Sequence, residues 1–285
     1  MIVSELQIQS LIDKLGAVKA TSVFTDFFNS YRTSLSSYDV REVYSREYYE
    51  NLAALPTIND DSLVFPMNIY SEYSYRYVVK SLEKEAANVI DIGCGHAHFL
   101  LNLALRFPES NFVGIDISEE SIRAAQEKAK NYNIGNVIFK CCSADEFIDF
   151  GLADIIVFND VTEHLADSEL DKIFLCVATW CKDDAVVVIH TPNALALCNG
   201  YETSLIRQCY LWYLSCIKGW SGFSKSAKQL YYEQMHINVK SYKSLAAFLS
   251  KYGFECRVQY DSPQKVRLLD WLSPNMLVVA SRIPK

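Results

Sequence analysis

Residues 89–100 read Val-Ile-Asp-Ile-Gly-Cys-Gly-His-Ala-His-Phe-Leu, and this stretch restricts the fold more than any other in the chain. Val89, Ile90 and Ile92 form a short apolar run suited to a buried strand. Gly93 and Gly95 break it, and Phe99, Leu100 and Leu103 resume with helical spacing. A strand, a glycine turn and a helix start in succession create a ligand site. Without a Cβ the backbone can close on a bound group, and the first turn of the helix offers unpaired N–H donors. The acid before the turn, Asp91, narrows the ligand. In a dinucleotide fold a third glycine would stand at the position of His98, and the turn would receive a pyrophosphate. Here a carboxylate comes first, and a carboxylate repels phosphate and attracts an ammonium group.

Charge and composition point the same way. The 285 residues carry a net charge of −7, which argues against a nucleic-acid backbone as partner and for a small or neutral substrate. Half of the residues are hydrophobic, ample for one large core or for one domain with a cap. The nine cysteines include the neighbours Cys141 and Cys142 but no C-x-x-C pair, and residues 1–16 do not read as a secretory leader. Reduced thiols in the cytoplasm are the expected state. The apolar run 205–217 is interrupted by Arg207 and is too short to cross a bilayer, so no membrane association is expected. The oligomeric state is left open.

Strand and helix patterns alternate from Asn88 onward, which predicts a parallel sheet with crossover helices. The strand 112–117 carries Asp116 about 20 residues past the glycines, where an acid can accept both hydroxyls of a ribose. Ser143-Ala144-Asp145 follow the strand 137–141. The strand 153–158 ends in Asn159-Asp160-Val161-Thr162-Glu163-His164, and the strand 185–189 runs into His190-Thr191-Pro192-Asn193. These five segments, in this order and spacing, resemble the class I S-adenosylmethionine (SAM) dependent methyltransferases, most closely the ubiquinone-biosynthesis-like small-molecule enzymes.

The resemblance implies an α/β fold: a doubly wound seven-stranded Rossmann-like sheet, mostly parallel, with an antiparallel C-terminal hairpin from strands 254–260 and 276–281. It implies SAM as cofactor, held by Asp91, Gly93, Cys94, Gly95, Asp116, Ile117, Ala144, Asp145 and Asn159. Tyr75 and Arg76 stand where related enzymes reach the cofactor's carboxylate. For Cys94 the plainer reading is a small residue that packs inside the turn.

Residues 1–87 form a long lead-in to this fold, expected to be a helical, tyrosine-rich lid. Leu6, Ile8, Leu11, Ile12 and Leu15 suggest one amphipathic helix. Phe24, Phe27, Phe28 and Tyr31 suggest a second, with Gly16 a weak divider between them. Tyr44, Tyr48, Tyr49, Tyr70, Tyr73 and Tyr75 follow. Their rings could wall a sulfonium, or simply cover a sheet edge with hydroxyls in water. Residues 88–285 then make the SAM-binding domain, with an insertion at 194–235, rich in tyrosine and tryptophan, expected to shape the acceptor pocket.

Glu163-His164 stand where a base would face the methyl group, with His236 as a second candidate. His164 is the first choice as general base. The alternative is that Glu163 and His164 only hydrogen-bond the loop. His96 and His98 are expected to donate to cofactor or solvent, and His190 to pack at a strand end. The run also resembles small-RNA 3′-end 2′-O-methyltransferases, where the corresponding residues surround a divalent ion, and Asp160, Glu163, His164 and His236 have the donor atoms for one. A metal is possible but not favoured: Asp160 replaces the first glutamate, and no basic RNA surface is evident. The leading expectation is methyl transfer to an O, N or C acceptor on a small molecule. Two others stay open: transfer or cyclisation of SAM's aminocarboxypropyl arm with release of methylthioadenosine, and a noncatalytic SAM-binding subunit.

Overall fold

The computed structural model describes residues 3–31, 63–67, 71–147, 151–194, 227, 230–231, 234–261 and 275–283. The tyrosines 44, 48, 49 and 70, and most aromatic residues of the 194–235 insertion, lie outside the described residues. In chain order the elements are α1 (Glu5–Leu15), α2 (Ala17–Tyr31), α3 (Glu72–Leu82), β1 (Asn88–Ile92), α4 (His98–Arg106), β2 (Asn111–Asp116), α5 (Glu119–Asn131), β3 (Val137–Cys141), β4 (Ala153–Asn159), α6 (Asp167–Trp180), β5 (Cys181–Pro192), α7 (Tyr242–Ser250), β6 (Phe254–Asp261) and β7 (Asn275–Arg282).

The strands form one seven-stranded sheet in the order β3-β2-β1-β4-β5-β7-β6. Pairing is parallel from β3 through β5, and β7 runs antiparallel to both β5 and β6. This is the expected α/β fold with its antiparallel end. Strand alternation sorts the core into two layers. Ile90, Ile92, Ile156 and Phe158 face α6 and α7 through Leu170, Phe174, Leu245 and Phe248. Val89, Phe112 and Val157 face α3, α4 and α5 through Val78, Leu100 and Ile122. Central strands buried on both faces explain why they read as unbroken apolar runs rather than alternating ones.

Local signals set several boundaries. The Ser118 side chain accepts from Ser121 N to cap α5, with Glu119 and Glu120 in the first turn where the helix dipole favours them. Leu170, Ile173, Phe174 and Val177 are all buried on α6. Gly253, at φ 83°, follows α7. Two expectations at the N-terminus need correction. Gly16 divides α1 from α2 cleanly, because at φ 78° it caps α1 in a conformation that other residues resist. The two helices also bury fewer residues than their stripes suggested: Ile8, Phe24 and Phe28 are buried, while Leu6 is 83% and Phe27 53% exposed. They pack on Leu230, Tyr231 and Met235 in a third, smaller cluster.

Candidate active site

The carboxyl ends of the parallel strands carry the polar residues singled out by sequence, and the glycine turn is the first of them. Left-handed backbone recurs at Gly93 (φ 73°), Gly95 (φ 52°) and Ala97 (φ 57°) before α4 begins. Gly93 N and Cys94 N both donate to Ile115 O, at 2.8 and 3.1 Å, so the turn is tied to β2. A Cβ on Gly93 would lie 2.4 Å from Val161 Cγ2, which shows that the loop after β4 rests directly on the glycine. Cys94 is a packing residue: its Sγ would be 2.8 Å from a Cβ at Gly114, so the thiol fills the space that this glycine leaves.

Asp116 closes the turn. Its Oδ2 accepts from Gly95 N and its Oδ1 from Ser118 N, each at 2.8 Å. Asp91 is buried beside it, and its Oδ1 has no hydrogen-bond partner. Burial, then the neighbouring Asp116 charge, pushes its carboxyl well above the usual range. Of the other expected residues, Ala144 is buried in a short 3₁₀ turn (Ala144–Glu146), where Asp145 accepts from the Ser143 hydroxyl. Ile117 is 46% exposed just past β2. Tyr75 is buried on α3, edge-on to Phe99. Arg76, on the same helix, is 71% exposed and ion-paired with Glu72.

His98 also departs from expectation. Its Nδ1 meets Pro66 O at 2.8 Å and its ring stacks on Phe65, so it anchors the segment before α3. Burial, then the charge of Lys128, lowers its pKa to about 4.

Past β4 the chain turns sharply at Asp160 (φ 53°) into a 3₁₀ turn, Thr162–His164, where three acidic or basic side chains converge with His236. Asp160 Oδ1 lies 2.7 Å from His190 Nδ1. His190 is therefore more than a packing residue; it is the buried partner of this acid. Burial would raise the Asp160 carboxyl, but the attraction and hydrogen bond of His190, aided by His236 and His164, hold it below the usual range. Glu163 is fully buried; Thr191 Oγ1 donates to its Oε2 at 3.0 Å, and its Oε1 has no hydrogen-bond partner. Burial, then the Asp160 charge, raises its pKa well above the usual range.

His164 Nδ1 lies 3.0 Å from Met235 O, a contact that requires the proton on Nδ1, so its Nε2 is the lone-pair nitrogen, 4.0 Å from Glu163 Oε1. The His164 and His236 rings are 5.0 Å apart. Burial, then the His236 charge, presses the His164 pKa down to about 3. Ligand atoms of Glu163, His164 and His236 all lie within 4.8 Å of one another, so these three could hold a metal ion.

A profile of the methyltransferase domain family matches residues 83–237, more than half of the chain. The chain belongs to this family. The matched methyltransferase domain begins at the end of α3 and closes at the histidine cluster, so it contains both groups of polar residues. Among curated relatives, a tRNA (guanine-N(7)-)-methyltransferase from Thermotoga maritima is 40% identical over 78 residues, 27% of this chain and 24% of that protein. An uncharacterized protein of Rickettsia prowazekii is 29% identical over 97 residues, 34% of this chain and 18% of that one. The chain thus spans a quarter or less of the length of these two relatives.

Solved structures share the fold over a wider span. The plantazolicin methyltransferase BpumL in complex with S-adenosylhomocysteine (SAH) superposes with a TM-score of 0.56 at 14% identity, covering 92% of this chain and 99% of that one. Magnesium protoporphyrin IX methyltransferase from Synechocystis PCC 6803 with bound SAM does so at 0.55 and 16% identity, covering 86% and 96%.

The methyltransferase domain has residues suited to SAM. A buried, unpartnered acceptor on Asp91 and a second acid at Asp116 are the complement of a cationic nucleoside rather than a pyrophosphate. Sequence reasoning missed Ser74, whose hydroxyl donates to Asn159 Oδ1, as well as Val161 and the carbonyl of Met235. Each acts through a contact between segments far apart in the chain, and none carries a local signal.

Proposed function

We propose that this chain transfers the methyl group of SAM to an oxygen, nitrogen or carbon atom of a small molecule. The observation that carries the reading is the juxtaposition, at the ends of adjacent strands, of an acidic glycine turn with the Glu163–His164–His236 cluster, linked where Val161 rests on Gly93. SAM supplies an activated methyl carbon whose sulfur leaves as a neutral thioether. In this reading Asp116, fixed by two backbone N–H groups, turns its remaining lone pairs to the ribose hydroxyls. Asp91 faces the amino-acid end. Ala144 and Asp145 border the adenine, with Ile117 giving an apolar wall at the rim.

On the acceptor side, much of the rate comes from holding the nucleophile in line with the methyl carbon. His164, with its pKa near 3, would hold an acceptor's proton weakly at neutral pH. Its Nδ1–H is committed to Met235 O, so its role is to orient the site. The half-buried His236 beside it then receives the proton, with the Asp160 carboxylate stabilising the charge. The spacing of Glu163, His164 and His236 favours a second reading, in which a divalent ion seated there supplies the charge stabilisation that a neutral His164 lacks.

The net charge of −7 supports a small acceptor over a nucleic acid. The tRNA-modifying relatives match only a short part of their length. The deciding experiment incubates the protein with SAM, first alone and then with small-molecule and tRNA acceptors, and identifies the adenosine product by mass spectrometry. Acceptor-dependent SAH is expected with the small molecules. Methylthioadenosine formed without any acceptor would replace methyl transfer by cleavage of the aminocarboxypropyl arm, and SAH formed only with tRNA would replace the acceptor class.

A further inference from the structure

We infer that Gln234 is a positioning residue that, by pairing with the backbone of Val3, keeps His164 in the tautomer that leaves its Nε2 bare. Its role at the acceptor rests on the methyl-transfer reading above, while the lock itself is a set of hydrogen bonds within the chain. Gln234 is fully buried. Its Oε1 accepts from Val3 N at 2.8 Å and its amide nitrogen donates to Val3 O at 2.7 Å, so one side chain binds both polar groups of a residue 231 positions away. Apolar burial against α1 and α2 is non-directional and would let the segment slide. Two opposed hydrogen bonds to a single residue fix it in place.

What the pairing fixes is the carbonyl of the next residue. The Met235 side chain is buried in one cluster with Ile8, Phe24 and Phe28, while Met235 O accepts from Ile237 N at 2.9 Å and lies 3.0 Å from His164 Nδ1. A carbonyl oxygen has two lone pairs, enough for both donors. Downstream, the segment is tied to the turn that carries His164: Asn238 N donates to Glu163 O at 2.9 Å, and Asn238 Nδ2 to Leu165 O at 2.8 Å. The segment is thus pinned to the 3₁₀ turn at one end and to the N-terminal residues at the other, and the partner of His164 lies between the two pins.

A neutral imidazole carries one proton on either nitrogen, and the group bound to the first nitrogen decides what the second offers. With Met235 O in place the proton stays on Nδ1, and Nε2 is an acceptor to which the O–H or N–H of a substrate can donate, orienting the substrate's own lone pair. Without that carbonyl the proton is free to move to Nε2, and the acceptor is capped. One glutamine therefore makes the N-terminal helices part of the site.

The test labels the five histidines of the full chain with ¹⁵N and reads their tautomers by long-range ¹H–¹⁵N correlation at neutral pH, with His164→Asn identifying the His164 signals. The wild type should show His164 with its proton on Nδ1. Gln234→Met, an unbranched side chain of similar volume without the amide, should lower its ratio of Nδ1–H to Nε2–H by about fivefold or more, the scale of one net hydrogen bond. Val3→Pro, which removes the Val3 N–H and leaves the sequence of the 234–240 segment untouched, should shift the ratio the same way. Backbone amide signals of β1, β4 and β5 that stay in place separate loss of the lock from loss of the fold. With an acceptor that supports turnover, both variants should lower kcat by about tenfold or more and change the KM for SAM by less than about twofold. A wild-type proton on Nε2, or a ratio unchanged in both variants, would overturn the lock. A shifted ratio with unchanged kcat would overturn its role at the acceptor. The histidine signals are read without cofactor, so the lock stands or falls on them whether or not the protein binds SAH.

Discussion

Both oxygens of Asp116 accept backbone N–H groups, so this one carboxylate supports the glycine turn as well as facing the proposed ribose. Asp116→Ala should weaken SAH binding by at least about tenfold and lower unfolding free energy by about 1–3 kcal/mol, read by calorimetry and urea denaturation. Protonation gives a second prediction. His164 is neutral in the fold, with a pKa near 3 against its ordinary 6.5, so below 6.5 the unfolded chain binds the proton that the folded chain refuses. Stability present above 6.5 is therefore lost as pH falls. The loss attributable to this residue is roughly 2 kcal/mol between about pH 7 and about pH 5. Asp91 and Glu163 act in the opposite sense: the folded state retains their protons, so they cost stability as pH rises through their raised values. The His164 contribution is isolated by difference. His164→Asn, whose amide can still donate to Met235 O, should show a shallower fall in melting temperature on acidification than the wild type. At this scale the sequence was legible in placement, since Asp91, Asp116, Asn159 and Glu163 lie at or just past the strand ends that the apolar runs marked. It was not legible for His98 or His190, whose partners, Pro66 O and Asp160, lie about 30 residues away.

Elements were more legible than residues because their signals are local. β1, the glycine turn, α4 and the caps of α5 follow from apolar spacing, positive φ and a serine side chain. β5 is longer than its apolar run, Cys181–Pro192 rather than 185–189, because pairing with β7 carries it through Pro192. The contact between turns was invisible: nothing in Asp91-Ile92-Gly93 announces that Val161 will sit on the glycine. Gly93→Ala should be destabilising by about 2 kcal/mol or more, since it combines φ 73° with a Cβ 2.4 Å from Val161 Cγ2, and a lowered melting temperature checks it. Restoring room with Gly93→Ala/Val161→Ala should recover only part of the loss, because the backbone strain remains.

Across the whole molecule, the segment 234–240 joins the N-terminal helices to the histidine cluster. Gln234 is fully buried, and its amide pairs with both Val3 O and Val3 N, at 2.7 and 2.8 Å. One residue on, Met235 O holds His164, and Asn238 N donates to Glu163 O at 2.9 Å. Gln234→Ala should speed amide hydrogen exchange in α1 and α2 while leaving exchange in the sheet near wild type, because those helices pack on the small third cluster rather than on the main core. The strand order carries a consequence for synthesis of the chain. β6 is made before β7, yet its sheet partner is β7, which lies between it and β5. A nascent chain therefore holds β6 as an unclaimed strand, with β5 offering an open edge, until residues 275–282 leave the ribosome. A premature stop in the short stretch after β6 would deprive the sheet of two strands at once, and would present to the quality-control machinery an apolar edge that the finished protein never exposes.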